Sequence, residues 1–480
     1  MKSQIRIGLQ QCDSRAGGDL HPLDGSRMVN SYLHLPISYA VTKKIIQDRT
    51  ARIGIVGLSH IGLSLAMLFS ECGFVVEGFD VDETKLESLR KRTTYLKTIT
   101  AERIGRACDR GFRATHDLAQ IAETDVLILC VPTPLGKNLE PDLRCIRETV
   151  YSVAAHLHSG HLVILESTTC PGTTEEIVAP ILEQANAAHL KLSRDTAESE
   201  RIFVAFSPEY QDLGRPATVE TGDLSKIVGG IDRFSTELAT VLYSTIFTHV
   251  IPVSTPRVAE MSNLFDSTHS CVNAGLVSEM KRLCYLMGID PWEVIEATKA
   301  SSCSSTCGQP STGMGSNCSP TAPLYLSWKA KAYGFRPKFV ESAGEFYAGL
   351  PSAVVRCTSD ALNRQKKSIY GSLILVLGPG YRRDVDDACE SPSWEIIELF
   401  RRAGAQVGYS ESVLQPPGQD TRHELKIISP ASEDLSSYDV VVITTDDTRY
   451  DFDRIVSEAK LVIDTGDATR GINSEKIIRC

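Results

Sequence analysis

The chain has 480 residues, room for about three domains at roughly 150 residues each. With 42% hydrophobic, 23% charged and 7% aromatic side chains, its composition is that of a folded globular protein and excludes a mainly disordered or collagen-like chain. Fifty basic against 60 acidic residues leave a formal charge of −10, which argues against bulk affinity for nucleic acid or anionic membrane and ranks a small anion, held in a local basic pocket, above DNA as a partner.

Fourteen cysteines are too sparse for a disulfide framework, and the N-terminus has no apolar segment of the secretory kind, so reduced thiols in a cytoplasm are expected. No stretch reaches the roughly 20 uninterrupted apolar residues of a membrane helix. Residues 1–50 carry the turn formers Gly17-Gly18, His21-Pro22 and Asp24-Gly25 and read as an N-terminal extension. From Arg52, short apolar runs at 53–56, 75–79, 126–131, 162–165 and 202–206 alternate with amphipathic segments, the pattern of a parallel doubly wound sheet. Over 256–298, Val258, Met261, Leu264, Phe265, Val272, Leu276, Met280, Leu283 and Leu286 recur at three- and four-residue steps and predict a long helix or helix pair. The segment 301–323, rich in Ser, Gly, Pro and Cys, reads as a loop. A second α/β section opens near Ser368, with strands at 373–377, 406–409, 440–444 and 461–464. The expected fold class is α/β, with two Rossmann-like doubly wound domains joined by a central helical region. Its parts are the extension 1–50, a first α/β domain 51–252, a helical region 253–345 and a second α/β domain 346–480.

The strand at 53–56 runs into Gly57-Leu58-Ser59-His60-Ile61-Gly62 and then into a helical segment. Strand, tight turn and helix in this order are the parts of a dinucleotide site, where the amides and dipole at a helix start hold a pyrophosphate. Gly57 and Gly62 fit the pattern. Ser59 stands where the second glycine, by lacking a Cβ, lets backbone approach the phosphates. Asp80 closes the next strand, where a carboxylate accepts hydrogen bonds from an adenosine ribose and repels a 2′-phosphate, so NAD is expected over NADP. The competing reading of the glycines is a purely structural turn.

Ordered blocks extend this motif over about residues 52–475. They include Cys130-Val131-Pro132-Thr133-Pro134, Glu166-Ser167-Thr168, Pro171-Gly172-Thr173-Thr174-Glu175, Ser207-Pro208-Glu209 and Lys226-Ile227-Val228-Gly229-Gly230. Farther on lie Ala259-Glu260-Met261, Val272-Asn273, a glycine-rich loop at 313–318, Tyr325-Leu326, Trp328-Lys329-Ala330, Glu390-Ser391-Pro392 and Thr444-Thr445-Asp446. The set resembles the UDP-glucose/GDP-mannose dehydrogenase family, and within it the UDP-N-acetylmannosamine dehydrogenase-like branch. The resemblance implies an N-terminal NAD domain, a long central helix that forms a homodimer interface, and a C-terminal domain that holds the nucleotide of a sugar nucleotide. Family members oxidise a C6 alcohol to a carboxylate with two NAD, by way of a cysteine thiohemiacetal and thioester.

Carried over by residue, the resemblance makes Cys318 the nucleophile, Glu209 the carboxylate of thioester hydrolysis and Thr133 a hydroxyl that positions water. Gly57, Ser59, Ile61, Gly62, Asp80, Pro132, Thr133 and Glu166 would hold NAD, and Asn263, Ser267, Asn273, Gly315 and Arg382 would face the substrate. Several positions depart from the family. Asn263 stands where it has an oxyanion-stabilising lysine, and Ser267 replaces the asparagine one helical turn on. Asn317 replaces a histidine, Ala322 an aspartate, and Ser270 and Cys389 basic side chains; Asp447 and Gly466 depart from the C-terminal pattern. Cys271, Cys303, Cys307 and Cys318 do not have the spacing of a recognised metal set, so no metal is expected. The expected function is a divergent NAD-dependent nucleotide-sugar dehydrogenase, with altered substrate or with oxidation stopping at the aldehyde. The alternative is a noncatalytic nucleotide-binding homologue acting as a partner or regulatory protein.

Overall fold

A computed structural model describes residues 36–96, 98–136, 138–185, 201–208, 225–300, 321–378, 391–410 and 426–480. The first α/β domain is built on β1 (Arg52–Val56), β2 (Val75–Phe79), β3 (Arg113–Thr115), β4 (Val126–Leu129), β5 (Leu162–Leu165), β6 (Phe203–Phe206), β7 (Ser225–Gly230) and β8 (His249–Val253). They form one sheet in the order β3-β2-β1-β4-β5-β6-β7-β8. Its pairs are parallel except β6 with β7, where Phe206 faces Gly229. Strands β4, β5 and β6 are buried at every residue, as parallel strands covered on both faces require. Alternate side chains feed opposite cores: Ile55, Ile128 and Ile164 pack with Leu65 and Phe69, whereas Leu127, Leu129 and Leu165 pack with Val150 and Leu182.

Within the segment expected as an extension, residues 37–47 are helical. The helix Ile37–Gln47 buries Tyr39 and Ile46 in the first core, Thr42 Oγ1 donates to the Gly160 carbonyl at 2.8 Å, and Lys43 Nζ meets Glu237 at 2.5 Å. This helix belongs to the compact unit Pro36–Cys480.

The predicted helix pair is present as Pro256–Met287 and Pro291–Ala300. Thr255 caps the first through the Val258 amide, Pro256 opens it, and Gly288 at φ +70 closes it in the left-handed region. This 32-residue spine packs its buried row Glu260, Leu264, Thr268, Cys271 and Gly275 toward the rest of the molecule, including the helices Thr321–Lys331 and Lys338–Arg364.

The second sheet comprises β9 (Leu373–Leu377), β10 (Gln406–Ser410), β11 (Lys426–Ile428), β12 (Val440–Ile443), β13 (Val462–Asp464) and β14 (Ile477–Arg479), in the order β11-β10-β9-β12-β13-β14 and parallel throughout. The four strands expected from the sequence are its centre. Asp467, buried and at φ +57, joins this domain to the spine: it pairs with Lys281 and accepts from Tyr285 Oη at 3.1 Å, with Arg479 Nε at 3.7 Å. Beside it the Arg470 guanidinium lies 4.3 Å from the Trp292 ring centroid and bonds Glu296 at 3.0 Å. The expectation of uniformly reduced thiols fails at one pair, since Cys357 and Cys480 are bonded as a disulfide across 123 residues. No helix among the described residues is long and apolar enough to cross a membrane.

Candidate functional site

The glycine turn between β1 and the helix His60–Glu71 is held to a backbone shape that side chains would break. Gly57 sits at φ +92, and a Cβ there would lie 2.3 Å from the Cys130 carbonyl oxygen. A Cβ on Gly62 would lie 1.9 Å from the carbonyl oxygen of Gly57, so the first helical turn can rest on the loop only with glycine present. Ser59 occupies the N-cap at φ −71 and ψ −171, an extended conformation open to any residue, which explains why serine is accepted there. Ile61 follows in the first turn, half-buried. A cradle that closes on an added methyl group fits a dinucleotide pyrophosphate approaching the helix start.

Asp80, just past the end of β2, is held by three contacts within the protein. Its Oδ2 accepts from the Leu58 amide at 2.8 Å and from Lys85 Nζ at 3.2 Å, and its Oδ1 accepts from the Asp82 amide at 2.9 Å. Lys85 is outside the motif, in the helix Glu83–Arg90, and only the fold brings it back to the strand end.

Along the same edge of the sheet, β4 runs into Val131-Pro132-Thr133. Pro132 is exposed; Thr133 is half-buried and its hydroxyl donates to the Thr168 carbonyl at 2.7 Å. Ser167 Oγ donates to the Val131 carbonyl at 2.7 Å, and Tyr325 Oη, from the helix Thr321–Lys331, donates to the Thr133 carbonyl. Three sequence blocks that lie far apart therefore meet around Thr133.

Glu166, at the end of β5, is wholly enclosed. Its Oε1 accepts from Lys226 Nζ at 3.0 Å and from the hydroxyl of Tyr243, and neither partner is more than 1% exposed. Lys226 Nζ also donates to the Pro208 carbonyl at 2.6 Å, and Ser207 Oγ to the Ile227 carbonyl at 2.7 Å. Burial, with Glu166 beside it, pushes the Tyr243 phenol far up, so it stays a donor. The network pins the chain just before Glu209. A lysine beside the apolar pair Ile227-Val228 of β7 is its sign in the sequence.

The spine contributes a second buried carboxylate. Glu260 accepts from the Gly172 amide at 2.5 Å, the Thr174 amide at 2.8 Å and Thr174 Oγ1 at 2.7 Å, and burial raises its pKa against these bonds. It thereby holds the loop after Thr168 against the helix that carries Asn263 and Ser267, which lie half-buried one turn apart. Asn273, also half-buried, approaches the His269 ring at 3.2 Å. Ala322 is packed with Cys170, Leu264 and Tyr325 in an apolar cluster. Burial pushes the Cys170 thiol up to about 12, which keeps it protonated.

In the second domain the ends of β9 and β12 meet. Gly378 at φ +74 lies under Thr445, whose carbonyl would stand 2.9 Å from an added Cβ, and its amide donates to Tyr450 Oη at 3.1 Å. Asp447 holds Arg449 through a contact to its Nε at 2.7 Å. Asp464 accepts from the amides of Gly466, Ala468 and Thr469 and so shapes the turn that carries Asp467. Glu209, Gly315, Cys318, Arg382 and Cys389, with Cys303, Cys307 and Asn317, lie outside the described residues. No group of three or more metal-ligating side chains occurs among the described residues, where Cys271 is packed with Ala274, Ala343 and Tyr347.

The UDP-glucose/GDP-mannose dehydrogenase family matches through its NAD binding domain at residues 51–247, its central domain at 257–347 and its UDP binding domain at 375–470. A UDP-N-acetyl-D-mannosamine dehydrogenase of Methanocaldococcus jannaschii is 27% identical over 432 residues, covering 86% of this chain and 92% of that protein. A UDP-N-acetyl-D-glucosamine 6-dehydrogenase of Pseudomonas aeruginosa is 26% identical, covering 82% and 89%. Among solved structures, an NDP-N-acetyl-D-galactosaminuronic acid dehydrogenase from Methanosarcina mazei Go1 superposes with a TM-score of 0.67 at 26% identity, covering 92% of this chain and 97% of that one. The UDP-D-ManNAc dehydrogenase of Pyrococcus horikoshii shares the fold at a TM-score of 0.74 and 24% identity, covering 89% and 98%. The chain belongs to the UDP-glucose/GDP-mannose dehydrogenase family, with the UDP-N-acetylmannosamine dehydrogenase-like branch, and its cofactor is NAD.

Proposed function

We propose that the protein oxidises the primary alcohol of a nucleotide-linked sugar, with a substrate or an end point altered from that of its relatives. The observation that carries this reading is the turn Gly57–Gly62, closed to any Cβ at 57 and 62, set in a chain that matches all three domains of the family. Gly57, Ser59, Ile61, Gly62 and Asp80 hold NAD in this reading, with Pro132, Thr133 and Glu166 along the same sheet edge. NAD, when bound, accepts a hydride from the substrate carbon. Cys318 adds through sulfur to the aldehyde carbon; the thiohemiacetal gives its hydride to a second NAD and its hydroxyl proton to water, and the resulting thioester is cleaved by water managed by Glu209 and Thr133, which returns the thiol and releases a carboxylate. Asn263, Ser267 and Asn273 offer neutral hydrogen bonds where a cation would do more, so they favour binding over stabilisation of negative charge. Gly315 and Arg382 complete the substrate side.

A homodimer belongs to this reading. Val258, Met261 and Phe265, then Leu276, Met280, Leu283 and Met287, are exposed along the spine at helical steps, a stripe that a second copy would cover. The cytoplasm, which holds NAD and nucleotide sugars, is the proposed location.

One observation favours a second reading. The apolar seat of Ala322, together with the neutral Asn263 and Ser267, suits a homologue that binds a nucleotide without turning it over. A panel of nucleotide sugars with NAD, followed by NADH absorbance and by protein mass at Cys318, separates the two. One NADH per product marks arrest at the aldehyde, two mark full oxidation, and NADH binding without turnover across the panel supports the noncatalytic homologue. Unchanged turnover in Cys318→Ser would refute the covalent route.

A further inference from the structure

The glycine turn is held from a side that the motif does not include. Leu58, between Gly57 and Ser59, has both of its peptide groups fixed: its N–H donates to Asp80 Oδ2 at 2.8 Å, and its carbonyl accepts from Tyr95 Oη at 2.5 Å. The preceding Gly57 amide donates to the Phe79 carbonyl at 2.8 Å. Tyr95 lies well beyond β2 in sequence and packs against the core beneath β1 and β2, which fixes the ring. Burial, with Asp80 and Asp82 nearby, pushes the phenol pKa up, so the hydroxyl remains a donor.

A trans peptide points its C=O and N–H in opposite directions, so fixing the Leu58 carbonyl also fixes where the Ser59 N–H points. In turns with glycine at this second position, the missing Cβ lets the backbone settle against the phosphates. Here the position is serine in extended backbone, and the plane of its amide is set from outside. We propose that Tyr95 is a positioning residue of the NAD site, whose hydroxyl aims the Ser59 amide and the start of the helix His60–Glu71 at the pyrophosphate. Asp80 serves the neighbouring peptide and the ribose; Tyr95 serves the phosphates alone. The inference rests on the cofactor site and not on any oxidation step.

The test uses the full chain and NADH fluorescence, with ADP-ribose and adenosine as competitors. Tyr95→Phe keeps the ring and removes the hydroxyl, and is expected to weaken NADH and ADP-ribose about fivefold to tenfold, the loss of one hydrogen bond to an otherwise enclosed carbonyl. Adenosine, which has no phosphate, is expected to change by less than about twofold on the same argument. Unchanged NADH affinity in Tyr95→Phe would overturn the proposal, and so would an equal loss for adenosine, which signals general damage. Tyr95→Leu, read beside it, separates hydroxyl from ring: a loss confined to the leucine variant assigns the effect to packing and overturns the proposal as well. Wild-type protein that bound no NADH would instead overturn the cofactor site itself, a distinguishable result.

Discussion

Acid should destabilise this protein through His161. The residue is wholly buried just before β5, and its ring is fixed in one tautomer. Nδ1 accepts from the His158 amide at 2.9 Å, so the proton resides on Nε2, which faces Thr124 Oγ1 at 3.2 Å; that hydroxyl in turn donates to the Ile121 carbonyl at 2.8 Å. A second proton on Nδ1 would point at an N–H group. Burial, and then the His158 ring stacked at 3.9 Å, lower the pKa to about 3. An unfolded histidine titrates near 6.5, so between these values the unfolded chain binds a proton that the folded chain excludes. The full stability is present above about pH 6.5 and falls as pH drops, by about 1.4 kcal/mol per unit well below that point and by about 2 kcal/mol in total at pH 5. Urea unfolding of wild type and His161→Gln from pH 7.5 to 5 measures this, because the carboxylates common to both cancel in the difference. Wild type should lose about 2 kcal/mol relative to the variant across that range; parallel curves would refute the reasoning.

Gly62→Ala, whose methyl group would stand 1.9 Å from the Gly57 carbonyl oxygen, is expected to weaken NADH at least about tenfold by opening the turn, and titration at unchanged secondary structure checks it. Cys480→Ser removes a crosslink spanning 123 residues and should cost up to about 5 kcal/mol in the second domain, read from denaturant midpoints with and without reductant; identical midpoints would contradict it. Lys226→Met leaves Glu166 and Tyr243 buried without their cation and should cost about 3–5 kcal/mol, whereas adding Glu166→Gln should recover a good part, so a double variant as unstable as the single would exclude an ion pair at this position.

The parts legible in the sequence were those with a local rhythm. The runs at β4, β5 and β9 announce buried parallel strands, Gly57 and Gly62 announce the tight turn before the helix, and the apolar steps from Val258 to Leu286 announce the spine. The helix Ile37–Gln47 escaped because Ser38 and Thr42 occupy its buried face and blur the period. Strand β7 carries the buried Lys226 and turns antiparallel to β6, so its role is tertiary. Cys357 with Cys480, and Lys85 with Asp80, are pairings that no spacing encodes. The departures at Asn263 and Ala322 were visible only against the family, and the structure adds what they touch. Glu209, Gly315, Cys318 and Arg382 lie outside the described residues.

The attachment of the second domain to the spine has a mechanical consequence. Asp467 is a buried charge on a backbone conformation that resists other residues, and its partners Lys281, Tyr285 and Arg479 come from two directions. Such a joint does not slide, because a small displacement strands a desolvated carboxylate and a large one must release every partner together. The lobe is therefore latched and not cushioned. Arg479 and the disulfide-bonded Cys480 are consecutive, so the oxidation state of one sulfur bridge and the seating of one enclosed carboxylate are separated by a single peptide link.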